Sequence, residues 1–316
     1  MFNRSHRPTS PAASASSRVR RAPGQAAMPA RTSLAVAAAL VGVLGGVLVQ
    51  APARWLADAV GSASNGQVQL LNARGTVWQG QAHVLLSGGS GSQDRTLLPT
   101  PLRWHLRPTW LGQAEDTAPS SSSTSTSSDA AASGTGPSAL RGLALAVGLG
   151  TECCLPNGLQ LWVQPHWRGL ALHLAPHQSQ WPAELLAGLG TPWNTLQLQA
   201  QLALSTSAIG LQLGPTGLRS QGTATLDVRD AASRLSTLRP MGSYRLTWQA
   251  SPQAAPTLNL STVQGALLLQ GRGEWIAGRL RFQGDAQASP GREDALANLL
   301  NILGRRQGAR SLITIG

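Results

Sequence analysis

The chain has 316 residues, enough for one large domain or two small ones, and 42% of them are apolar, which excludes a disordered polyampholyte. Only 12% are charged, yet the formal net charge is +12, because all 25 basic residues are arginine and oppose only 13 acids. Two cysteines exclude a disulfide-rich mini-scaffold and a four-cysteine zinc site.

The N-terminal fifty residues set the expected compartment. Arg4, Arg7, Arg18, Arg20, Arg21 and Arg31 all precede the first acid, Asp58, within Pro/Ser/Ala-rich sequence that has no apolar period. Residues 1–31 therefore read as a disordered basic arm. Leu34–Val49 follows without a charge. Extended to residues 32–51, the run is about 30 Å long as a helix, the thickness of a hydrocarbon core. Arginines on its N-terminal flank place that flank in the cytoplasm, so residues 52–316 are expected in the periplasm behind a single inner-membrane pass. A cleaved signal peptide is the rival reading, since Ala51-Pro52-Ala53 has a small-x-small form, and Met28 would itself open an ordinary short leader.

Beyond the anchor, Trp55–Val60 reads as one or two helical turns, and then the period becomes two. Apolar residues alternate with polar or small ones at Val68/Leu70, Leu102–Leu106, Leu143–Leu149, Leu159–Val163, Leu170–Leu174, Leu196–Leu204, Ala224–Val228, Leu246/Trp248, Leu258/Leu260 and Leu280/Phe282. Such alternation gives each strand one core face and one wet face. Turn signals at Pro156-Asn157-Gly158, Gly188–Pro192, Gly214-Pro215 and Gly271–Gly273 separate the runs. The fold class is mainly β, an antiparallel sheet domain with a short C-terminal helix over Asp294–Leu303 and a last strand at Ser311–Ile315. A second short helix is expected over Trp181–Ala187, with Pro182 near its start. The Ser-rich tract within 113–139 cannot build a core and reads as a flexible insertion.

Candidate chemistry is sparse. His173 and His177 have a helical metal-binding spacing, but Pro176 intervenes and the pattern is strand; with His166 they read as exposed histidines, and no metal site is expected. Cofactor fingerprints and nucleophile elbows are absent from the sequence. After the anchor, 19 arginines against 13 acids are spread along the chain without aromatic interleaving, so no nucleic-acid groove is expected. Adjacent Cys153 and Cys154 admit a vicinal disulfide, an intermolecular bridge or free thiols. Their Cα separation of about 3.8 Å lies below the usual disulfide range, which favours partly buried thiols.

Short motifs then recur in a fixed order: Ala51-Pro-Ala-Arg-Trp55-Leu56, Ala73-Arg-Gly-Thr-Val-Trp-Gln-Gly80, Leu102-Arg-Trp-His-Leu-Arg-Pro108, Leu238-Arg-Pro-Met-Gly-Ser-Tyr-Arg-Leu246 and Asn298-Leu-Leu-Asn-Ile-Leu-Gly-Arg-Arg306. This order resembles the type II secretion system protein N (general secretion pathway protein N) family. The departures are the long basic arm, the Ser-rich insertion, and Met241 where a Leu is usual. The resemblance implies a non-enzymatic inner-membrane accessory subunit of the apparatus that exports folded proteins across the outer membrane. It implies contacts with other inner-membrane secretion subunits and no cofactor. Trp78, Gly80, Trp104, Pro108, Gly242 and Tyr244 are the candidate partner-contact or structural motif residues. A membrane-tethered β-groove that binds or transfers lipid is the alternative expectation. An outer-membrane barrel would want more than one Tyr and two Phe for its girdles.

Overall fold

The computed structural model describes residues 30–89, 91–111, 142–215, 217–276 and 278–316. The expected basic arm, apart from its last two residues, and the Ser-rich insertion 113–139 lie outside these. The chain divides into two units, Met1–Leu48 and Val49–Gly316. Helix α1 spans Ala30–Val49 and contains the charge-free run. Among the described residues no helix is long and apolar enough to cross a membrane; the membrane reading of α1 rests on its sequence.

Among its described residues the second unit forms one antiparallel sheet of 17 strands, in two halves joined by a shared strand. After α2 (Ala53–Ala63), the first half starts with β1 (Val68–Gly75), β2 (Gln79–Ser87), β3 (Arg95–Leu97) and β4 (Leu102–Leu111). It continues through β5 (Gly142–Thr151), β6 (Leu155–His166) and β7 (Gly169–Leu174). Then β8 (His177–Pro182) crosses to the second half and is followed by a 3-10 segment (Ala183–Leu189), α3 (Trp193–Leu196) and β9 (Gln199–Thr206). The next strand, β10 (Ile209–Gly214), returns to pair with β7, and β11 (Gly217–Ala232) links the halves. Five residues of β11 pair with β10; from Gly222 onward it lies between β9 and β12 (Gly242–Ser251). Gly222 marks the handover with φ +117°, a conformation that disfavours any side chain, and a Cβ there would sit 2.6 Å from the Ala208 carbonyl oxygen. The second half proceeds through β13 (Ala254–Gly265), β14 (Leu267–Ile276), β15 (Arg279–Ala288), α4 (Glu293–Leu303), β16 (Arg305–Gln307) and β17 (Arg310–Ile315). Strand orders are thus β1–β2–β4–β5–β6–β7–β10–β11, with β3 paired to the end of β2 beside β4, and β8–β9–β11–β12–β13–β14–β15–β17–β16.

The largest core lies under α4. Its apolar face buries Leu296, Leu299 and Leu300 against Ala200, Leu202, Tyr244, Leu267 and Ala286 of the second half. Glu293 and Asp294 occupy its first turn, where acids complement the positive helix end. Leu185 of the 3-10 segment packs with Leu98 and Cys154, and α2 covers Trp104 and Ala82 through Ala53. The helical elements therefore seal parts of a sheet that cannot cover its own apolar face.

Four local expectations are corrected. Gly271–Gly273 is no turn but the interior of β14, paired on both sides. The glycines make room for the Phe282 ring, which a Cβ at Gly271 would strike. Pro156-Asn157-Gly158 lies within β6, and the chain reverses instead at Glu152–Cys154. The strand expected from Leu196 begins at Gln199, because Trp193–Leu196 forms a helical turn that Gln197 ends in the left-handed region, φ 41°. The helix expected over Trp181–Ala187 opens as the end of β8 and becomes helical only at Ala183.

Candidate functional site

The motif residues fall into two clusters. In the first, β2 and β4 place Gly80 directly opposite Trp104. The indole is 3% exposed, and its Nε1–H donates to the carbonyls of Val77 at 3.1 Å and Thr76 at 3.3 Å. A Cβ on Gly80 would lie 2.5 Å from Trp104 Cζ2 and 2.6 Å from the Arg74 carbonyl oxygen. Only hydrogen fits beneath this ring. Trp78 is half-buried in the same hairpin, and its carbonyl accepts from the Leu106 N–H at 2.6 Å. Pro108 lies further along β4, opposite Leu145, and is exposed. The chain joins this cluster from α1 at its tip: Val77 N–H donates to Ala51 O at 2.8 Å, and Pro52 bridges Thr76.

The second cluster is in the other half. Gly242 sits between Ala231 and Gly265 on neighbouring strands. Tyr244 is buried, and its hydroxyl donates to the Leu267 carbonyl at 3.1 Å. A Cβ on Gly242 would meet Tyr244 Oη at 2.8 Å and the Gln264 carbonyl oxygen at 2.7 Å. Burial pushes the Tyr244 phenol well above its ordinary range. The pattern Gly-x-Tyr thus ties β12 to the start of β14 across β13.

Of the three histidines expected at the surface, His166 is exposed and the other two are not. His173 and His177 are each 6% exposed. His173 stands between Trp162 on β6 and Gly210 on β10, and the Gln221 side chain takes the space over Gly210. His177 pairs with Thr206 on the face that carries Leu202 and Leu204. Desolvation holds both imidazoles below their ordinary value; for His177 a backbone hydrogen bond at Gly158 opposes it. Their Nε2 atoms, Ser179 Oγ and Thr206 Oγ1 are buried without a hydrogen-bond partner among the described residues. Among those residues no group of three His, Cys, Asp or Glu could hold a metal ion.

Cys153 and Cys154 form a vicinal disulfide where free thiols were favoured. They sit at the β5–β6 reversal. Cys154 is wholly buried against Leu98 and Leu185, and its carbonyl accepts from Gln180 N–H at 3.1 Å, linking this turn to β8. Nothing in the sequence around the pair announced that link.

Outer strands remain open on one side. β1 pairs with β2 alone and β16 with β17 alone among the described residues. Charge pairing is light and external: Arg245 donates through Nε to Asp227 at 2.6 Å and through Nη2 at 3.1 Å, which holds the carboxyl below its ordinary range.

These features define a continuous antiparallel β-sheet scaffold, braced by short helices and buried aromatic locks. The chain belongs to the type II secretion system (T2SS), protein N family, whose model matches residues 66–313, from just before β1 to within β17. Membership implies a role in type II secretion and interaction with other components of that system. No curated protein and no solved structure matches the chain.

Proposed function

We propose that the protein is a membrane-tethered, non-enzymatic accessory subunit of the type II secretion system. Its sheet domain stands in the periplasm and acts through contacts with other inner-membrane subunits. The family match across nearly the whole sheet carries this reading. The uncharged run Leu34–Val49, with six arginines and no acid on its N-terminal side, supports the tether and its orientation. The one-sided pairing of β1 supports contact by strand addition, in which main-chain groups supply affinity. Confinement by the tether raises the local concentration of such partners.

Purification of the full chain from detergent-solubilised membranes of its own host tests this. Co-purification of inner-membrane secretion subunits is the expected result; recovery of the chain alone counts against it.

A second reading, a module that shelters acyl chains, draws on the first half of the sheet. Leu145, Val147, Leu161, Val163 and Leu172 share one half-buried face there. Native mass spectrometry of detergent-free protein separates the two, because copurified lipid favours the second.

A further inference from the structure

The strands of the first half end in a row of exposed apolar side chains. Trp110 of β4 stands opposite Leu143 of β5. Pro165 of β6 faces Leu170 of β7, Leu170 faces Leu213 of β10, and Leu213 faces Leu218 of β11. Alternation puts all six on one face, at one end of five consecutive ladders. Trp110 is 75% exposed, Leu218 65%, Leu143 58% and Leu213 56%. Trp167, in the β6–β7 turn at the same end, is 98% exposed. Large apolar side chains scattered singly are ordinary; a cross-strand row ending in a bare tryptophan marks a contact surface.

Two observations identify the occupant. The first is charge. His166, Arg168 and Arg219 line a depression of about 360 Å³ beside Leu170 and Leu213. Glu184 is the only acid between residues 153 and 226. It sits in the 3-10 segment, whose Gly188 abuts Leu86 and Thr96 at the opposite end of the sheet. Among the described residues no ion pair engages Arg168 or Arg219. The second is where the chain arrives. Ala51 is hydrogen-bonded to Val77 at the tip of the β1–β2 hairpin, level with Leu106. From Leu106, β4 runs about 13 Å further in the same direction to Trp110. The rim and Ala51, where the chain enters the sheet, therefore lie toward the same end of this unit.

We propose that this rim is a membrane-docking edge that rests on an anionic phospholipid surface. Tryptophan and leucine enter the interfacial layer, where amphipathic indole rings are favoured, and Arg168 and Arg219 meet lipid phosphates. The edge would hold the sheet against the bilayer instead of letting it swing on its tether. The proposal builds on the anchor reading of Leu34–Val49, and its test separates the two.

The full chain is reconstituted in bilayers of phosphatidylcholine, with or without phosphatidylglycerol, carrying brominated acyl chains. The rim signal is the tryptophan emission lost in a Trp110→Phe/Trp167→Phe variant; both rings are exposed, so the fold is spared. The anchor signal is the emission lost in Trp55→Phe. Bromine quenching of the rim signal, stronger with phosphatidylglycerol, is expected. The docked-to-undocked ratio should fall about fivefold with each of Arg168→Gln and Arg219→Gln. A rim signal untouched by bromine and quenched by aqueous acrylamide overturns the proposal. One shielded from both quenchers shows protein there, a second copy or the chain's own 112–141 segment, and overturns it too. Loss of quenching at Trp55 alone counts against the anchor and leaves the docking edge standing; quenching at Trp55 alone does the reverse.

Discussion

Gly80 and Trp104 are cross-strand partners in which the absence of one side chain is the seat of the other. The indole lies where a Gly80 Cβ would be, and its N–H closes the hairpin through the carbonyls of Thr76 and Val77. Two motifs distant in sequence, Gly-Thr-Val-Trp-Gln-Gly and Leu-Arg-Trp, are thus two sides of one joint.

Gly80→Ala should lower stability by about 1–3 kcal/mol, the usual cost of overpacking, because backbone at Arg74 as well as the ring stands in the way. Urea unfolding of the full chain in detergent reads this as a lower midpoint at unchanged slope. A midpoint equal to that of the wild type would remove the joint from the account.

Tyr244 is the single tyrosine of the chain, so its ionisation can be followed alone. Its folded pKa lies above its unfolded one, so the folded state holds the proton longer. The resulting stabilisation is complete below about pH 10 and is lost as pH rises beyond it. Tyrosinate absorbance should therefore appear only together with loss of the fold. Tyr244→Phe, which leaves the Leu267 carbonyl without its donor, should cost about 1–2 kcal/mol.

His173 and His177 work in the opposite pH direction. Burial lowers their folded pKa values, so the unfolded chain binds protons first on acidification. Stability is complete above about pH 6.5 and declines as pH falls through the folded values. NMR titration of the imidazole C–H signals should show two histidines with midpoints below the ordinary value. Assignment of those two signals to other histidines would contradict the burial.

The vicinal disulfide should be seen directly. Mass spectrometry of the protein, unfolded without reductant in the presence of a thiol-blocking reagent, should find it short of the reduced chain's mass by two hydrogens and free of added label. Cys154→Ser places a hydroxyl in a site closed by Leu98 and Leu185 and should destabilise by about 1–3 kcal/mol.

Period-two alternation made most of the sheet legible, from β1 to β17, and the amphipathic spacing of Leu296, Leu299 and Leu300 made α4 legible. Glycine was ambiguous. At Gly214 it marked a turn, whereas at Gly271 and Gly273 it made room for Phe282, and only tertiary packing tells these apart. The histidines read as surface residues because a lone polar side chain in a strand normally faces water. Pairing reverses that for His173, which lies on an inner strand between Trp162 and Gly210, and register is invisible in sequence. The motif residues were recognisable as a set. Burial then assigned Trp104 and Tyr244 to the interior and left Pro108 outside. The apolar rim escaped notice because its members come from six strands that only folding aligns.

The account as a whole turns on whether the sheet touches secretion subunits in the envelope. A photo-reactive amino acid at Leu71, 39% exposed on the strand that pairs on one side only, tests it in the living host. Irradiation should yield a covalent adduct with an inner-membrane secretion subunit that disappears when the secretion genes are deleted. An unchanged pattern in their absence, or no adduct at all from Leu71 and its β1 neighbours, would contradict the account.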